Sequence, residues 1–282
     1  MILNLGDFWR RFRQNKGAVV GLLILILVFA MAVFGPFLFP DNPWEMAGPP
    51  FQRPFRSEFV LGTDTLGRDI LSGIVHGARV SLLIGFVATF VAVAVGIVLG
   101  ATAGYYGGWS DDLLMRFTEF FQTIPSFVFA VVLVAIFTPT ISSIVVAIAI
   151  ISWPAVARLV RGEFLTLRTR EFVQASVVQG QSGPHIIFRE ILPNALSPII
   201  VAASLMVATA ILIESSLSFL GLGDPNLMSW GFMIGSSRTV IRTGWWMSFF
   251  PGLSILFTVL ALNLVGEGLS DALNPRLSRE GR

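Results

Sequence analysis

The 282-residue chain is 54% hydrophobic and only 13% charged, about half the charge of an ordinary soluble domain and too little to solvate a globular surface. Its net charge is +2, and its arginines are scattered rather than gathered in a patch interleaved with aromatics, which argues against nucleic acid as a partner. There is no cysteine, and the two histidines, His76 and His185, lie far apart. Disulfides, thiolate metal sites and a cysteine nucleophile are therefore excluded, and a histidine dyad is unsupported; no catalytic, cofactor-binding or metal-binding residue is predicted.

Crossing a bilayer as a helix takes about 20 mostly apolar residues. Six such segments are predicted, at 17–39, 80–103, 113–137, 141–160, 195–213 and 249–269, which makes the chain an all-α integral membrane protein. The first follows a basic lead (Arg10, Arg11, Arg13, Lys16) and contains Ala30-Met31-Ala32, a mimic of a signal-peptide cleavage site. The apolar run continues past it to Phe39, so cleavage is not expected. Residues 1–39 thus read as a basic cytoplasmic lead and a first span. Residues 40–78 read as an outside loop stiffened by Pro40, Pro43, Pro49, Pro50 and Pro54. A five-helix unit over 79–282 follows, with an inside loop at 161–194 and an outside loop at 214–248. With both termini inside, thirteen of the nineteen Lys and Arg residues fall on the inner side, the positive-inside bias.

Several polar residues near span ends read as structural. Glu119, Glu214 and Glu267 are expected to be satisfied by water or a neighbouring arginine. Trp230, Trp245 and Trp246 are expected to be interface anchors. His76 and His185 are placed on the surface, and Asp64, Arg68 and Asp69 are expected to pair within their loop. No substrate-pathway residue is assigned.

The inside loop from Arg170 to Asn194 carries the sharpest pattern. It predicts two short helices around a break. The first ends at Gly180; the second is capped by Ser182 or Gly183, has Pro184 in its first turn, and stops near Leu192 because Pro193 follows. Phe172, Val173, Val177 and Val178 give the first helix an apolar edge. Such an element can lie on the membrane, pack beneath the bundle or dock in a partner's groove.

Gln174-Ala175-Ser176, then Gly180, then Leu192-Pro193 resembles the EAA loop of bacterial ABC-importer permeases: E-A-A, three residues, G, about nine residues, I-x-L-P. Here Gln174 replaces the acid, Ser176 the second alanine, and Glu190 the spaced isoleucine. The likeness continues through the Gly62-Thr63-Asp64-Thr65-Leu66-Gly67-Arg68-Asp69 segment, Gly77 to Leu82, Ala103 to Asp112, Leu217 to Gly223, Ser229-Trp230-Gly231, Trp245-Trp246 and Asp271 to Arg276. All are similar to peptide and nickel permeases. The N-terminal span with its Pro-rich loop is similar to the C-type dipeptide and oligopeptide subunit.

The resemblance implies a type I permease core of five helices preceded by an N-terminal helix, in the plasma (inner) membrane of a prokaryote. It implies a coupling helix, at Gln174, Ala175, Ser176, Gly180, Leu192 and Pro193, that docks on a separate ATPase. Implied partners are a second permease subunit, two ATPase subunits holding ATP and magnesium, an extracytoplasmic substrate-binding protein and membrane lipid. This chain has no G-x-x-x-x-G-K-[ST] phosphate loop of its own. The implied cargo spans dipeptides, oligopeptides, nickel, sugars and glutathione. The alternative is an ATPase-independent secondary transporter or channel, which inverted repeats or mid-membrane charges would favour.

Overall fold

The computed structural model describes residues 5–56 and 58–273. Over these residues the secondary structure is helical apart from an isolated bridge between Thr63 and Asp69. In chain order the helices are α1 (Leu5–Gln14), α2 (Lys16–Leu38), α3 (Ile70–Tyr106), α4 (Gly108–Gln122), α5 (Ser126–Ile136), α6 (Ile141–Leu167), α7 (Glu171–Val178), α8 (Gly183–His185), α9 (Leu192–Leu217), α10 (Trp230–Ser237) and α11 (Trp246–Leu273). A π-helical turn, Ile186–Ile191, fuses α8 to α9, and a second, Ser218–Leu222, follows α9. Asn274, Pro275, Arg276, Arg279 and Arg282, used above for motif and charge arguments, lie outside the described residues.

Among the described residues five helices are long and apolar enough to cross a membrane, or six if the α4–α5 pair counts as one bent span. Where one span is expected at 113–137, the chain forms this bent pair. It breaks at Thr123-Ile124-Pro125 and turns by 80°, because Pro125 offers no N–H and disfavours helix at Ile124. Other elements outrun their expected bounds. α3 begins at Ile70 rather than near residue 80, since Asp69 accepts from the Leu71 and Ser72 amides and starts the helix. Its 37 residues reach about 55 Å, well beyond a hydrocarbon core of about 30 Å.

The most extensive helix pairing among the described residues is α3 with α6. Gly96, Gly100 and Gly104 recur every fourth residue along one stripe of α3. A Cβ on Gly96 would stand 2.5 Å from Val156 Cβ, one on Gly100 2.4 Å from the Ala157 carbonyl oxygen, and one on Gly104 2.6 Å from Phe164 Cβ. Small residues at this spacing let two backbones approach closely where no hydrophobic force favours helix association. The stripe was readable in the sequence and is absent from the expectations above.

Near the N-terminal end of α3 two tryptophans depart from their expected place at the interface. Trp230 and Trp246 are buried (0% and 2% exposed). Their indole N–H groups donate to the Ile74 carbonyl at 2.9 Å and the Thr63 carbonyl at 3.1 Å, which removes the penalty of burying an indole donor. Trp245 alone of the three stays exposed. Asp64 and Arg68 do pair, at 2.6 Å, and the Arg68 guanidinium lies 5.2 Å from the centre of the Trp44 ring. Asp69 serves α3 instead of joining them.

Replacing Gly100 with leucine is expected to force α3 from α6 and destabilise the chain by about 1–3 kcal/mol or more. Gly162→Ala, at a helical site where a Cβ meets nothing within 4 Å, is expected to be neutral or stabilising by up to about 1 kcal/mol. Thermal unfolding of both variants in mild detergent checks the contrast, and equal effects would show that the seam is not tight.

Candidate functional site

The C-terminal extension of α6 sets up the site. Arg161 forms a two-pronged ion pair with Asp111 of α4, one prong at 2.6 Å. Two turns on, Arg168 donates to the Gly104 and Tyr105 carbonyls at 3.2 and 3.4 Å. These are terminal carbonyls of α3, where the helix dipole favours a cation. The C-terminal ends of α3 and α6 and the N-terminal end of α4 are thus tied together just before the chain turns into α7.

α7 is seated by one side and open on the other. Val173 is 1% exposed and packs in a cluster with Phe164, Ile186, Ile187 and Ile191, against which Leu192 also packs. Ser176, three residues on and on the same side, is buried, and its hydroxyl donates to the Phe172 carbonyl at 3.1 Å. Gln174 and Ala175 face outward, as does Val178, which is 87% exposed. The apolar edge expected at Phe172, Val173, Val177 and Val178 is therefore divided: Val173 seats the helix while the other three are exposed.

The end of α7 is built by Gly180. The Gln181 amide donates to the Ser176 carbonyl and the Gly180 amide to the Val177 carbonyl, the paired bonds of a Schellman ending. Gly180 has φ +75° and open space where a side chain would stand.

The second helix does not stop near Leu192 as expected. It runs from α8 through the π turn straight into α9, with Pro193 in the first turn of that helix. Within the turn the Leu192 amide donates to the Ile187 carbonyl, five residues back. This wider register gives room to Pro193, which has no amide to donate. The Asn194 side chain then donates to the Glu190 carbonyl at 2.7 Å. The six motif residues consequently separate. Gln174, Ala175 and Gly180 lie on the open side of α7 and its cap; Ser176 is buried; half-buried Leu192 and exposed Pro193 open α9. Phe188, 58% exposed on the π turn, adds a further outward apolar group that the sequence pattern gave no reason to single out.

Gln174 also has a physical role as amide rather than acid. Its Nε2 donates to the Arg168 carbonyl at 3.0 Å, closing the end of α6, a bond that no carboxylate can make. Elsewhere, Glu214 is 2% exposed and satisfied by the hydroxyls of Ser215, Ser218 and Ser229, at 3.4, 2.9 and 2.7 Å, rather than by the arginine or water expected. Among the described residues no group of three or more His, Asp or Glu could hold a metal ion.

A multi-helix membrane bundle with a seated, outward-facing helix at one end is the form of a transport permease. Residues 96–279 match the family described as the binding-protein-dependent transport system inner membrane component, and residues 4–54 match the N-terminal TM domain of oligopeptide transport permease C. The chain belongs to the first of these families, and is an inner-membrane permease subunit of an ABC importer, not an enzyme. It is 42% identical over 280 residues to the di/tripeptide transport system permease protein DppC of Pseudomonas aeruginosa, covering 97% of this chain and 92% of that one. It is 42% identical over 282 residues to the dipeptide transport system permease protein DppC of Escherichia coli K12, covering 98% and 94%. In fold it resembles a chain of the MetNI methionine ABC transporter, with a TM-score of 0.60 at 17% identity over 73% of this chain and 98% of that one.

Gln174→Glu is expected to remove the bond to Arg168 and set a carboxylate against the carbonyl end of α6, loosening α7 by about 1 kcal/mol. Hydrogen exchange over residues 171–178 should then quicken about fivefold; unchanged protection would show that the bond does not help seat α7.

Proposed function

We propose that the open side of α7 is the contact for a separate ATPase, and that the chain serves an importer of dipeptides and oligopeptides. One observation carries this reading: Val178 beside the Gly180 cap and Phe188 on the π turn expose apolar side chains, while the other side of α7 is locked into the core by Val173. Exposed apolar groups on a rigid support mark a docking surface. Gln174, Ala175 and Gly180 make the contact. Ser176 and Leu192 hold the seat behind it, and Pro193 fixes the entry into α9.

In this account six spans cross the membrane, with the α4–α5 pair as the third, and both termini are cytoplasmic. The inner excess of arginine supports that orientation. A second, related permease completes the transport path, and two ATPase subunits carry the ATP and magnesium. An external binding protein delivers the cargo. The peptide relatives at about 42% identity over nearly the whole chain favour peptide over nickel or sugar.

Gly180→Asp tests the contact. Aspartate is among the residues that tolerate positive φ, and the site has room for it, so the variant is expected to insert in normal amount. Its charge would face the partner, and ATP-dependent dipeptide uptake and co-purification of the ATPases are expected to be lost. Normal uptake would contradict the assignment.

A further inference from the structure

α1 lies against the inner ends of two candidate spans. Phe12 is buried among Ala18 of α2 and Ala272 of α11, and Gly268 of α11 leaves room for its ring. Trp9 stacks on Phe12 at 5.8 Å with planes 7° apart, and Phe8 stacks on it at 6.2 Å. At helical spacing Phe8, Trp9 and Phe12 share one side, Asp7, Arg10 and Gln14 share the other, and Arg11 and Arg13 fall at the two boundaries. Trp9 is nevertheless 48% exposed, so the bundle does not use up the apolar side.

Asn15 then caps α2 directly, accepting from the Ala18 amide, and its side-chain amide donates to Asp271 of α11 at 3.0 Å. With a single residue separating α1 from the apolar run of α2, α1 cannot stand away from the bilayer surface. Its polar side and boundaries carry Arg10, Arg11 and Arg13, joined by Lys16. The opposing acid is Asp7, 3.5 Å from Arg10 and exposed, where an ion pair neutralises little.

We propose that α1 is an interfacial helix that binds anionic phospholipid headgroups. Trp9 enters the boundary between headgroups and acyl chains, while Arg10, Arg13 and Lys16 meet the phosphates. Basic residues flanking an aromatic apolar face are the arrangement that holds a helix in that plane. The inference rests on α2 being a membrane span and is independent of what the importer carries.

The chain contains no cysteine, so a label at Gly6→Cys, an exposed site in α1, reports on α1 alone within this subunit. The whole permease complex, labelled there, is reconstituted in vesicles of phosphatidylcholine mixed with phosphatidylglycerol, with one or the other lipid brominated. Brominated phosphatidylglycerol is expected to quench the label several-fold more than an equal share of brominated phosphatidylcholine, with each cation contributing about fivefold to local enrichment at most. The preference should shrink at high salt. It should vanish in Arg10→Gln/Arg13→Gln/Lys16→Gln and persist in Arg10→Lys/Arg13→Lys. Equal quenching by the two lipids in the native sequence, or a preference untouched by the triple glutamine variant, would overturn the proposal. Failure of the importer reading would instead appear as absent uptake in every lipid mixture.

Discussion

The approach of α3 to α6 along Gly96, Gly100 and Gly104 sets the geometry on which the seating of α7 depends. In lipid, apolar surface gains little by leaving one hydrocarbon environment for another, so helix pairs are held by close packing and by polar bonds at their ends. Three missing side chains bring the backbones together, with Ala157 and Arg161 carbonyls lying where a Cβ would stand. The Gly104 end of the seam is also where Arg168 reaches the last carbonyls of α3. Arg161, two turns earlier, holds Asp111 of α4. Packing along the seam and charge at its end therefore fix one position for the start of α7.

From that position follows the division of labour within α7. Eight residues are too few to hold a helix in water on propensity alone. Val173 in the core, the Gln174 bond to α6 and the Gly180 ending together hold it. The opposite side is free to present Val178, whose exposure costs solubility and gains nothing within this chain. A helix that must transmit force from a partner needs both properties: a rigid attachment and a surface left unfilled. The glutamine in place of the motif's acid supports the attachment, so the departure from the family pattern has a local physical consequence.

Hydropathy made the spans legible because bilayer thickness imposes a length on any apolar helix. Their ends were less so. Asp69 extended α3 outward through a cap that the charged-loop reading had assigned to pairing. Pro193 looked like a stop, yet the π turn absorbed it, and nothing in local propensity distinguishes a proline that ends a helix from one that a wider turn accommodates. Pro125 divides its segment into two helices that meet at 80°, a bend that hydropathy does not register. Trp230 and Trp246 read as interface anchors because their carbonyl partners, Ile74 and Thr63, are 156 and 183 residues away in the chain. Glu214 was misjudged for the same reason at shorter range: Ser229, fifteen residues on, supplies one of its hydrogen bonds. The glycine stripe is visible in the sequence at its four-residue spacing, but the spacing does not name α6 as the helix it meets. For the loop itself, the sequence located the helix and its glycine ending but left open which side faced the core.

The central claim is that α7 presents Val178 to an ATPase while Val173 stays in the bundle, and site-specific cross-linking tests it most directly. The chain's lack of cysteine allows Val178→Cys and Val173→Cys to be compared in the intact complex with a short cysteine-reactive photo-cross-linker. The account predicts an adduct with the ATPase subunit from position 178, which is 87% exposed, and none from position 173, which is 1% exposed. An ATPase adduct from 173 with none from 178, or no ATPase adduct from either in an actively transporting complex, would contradict it.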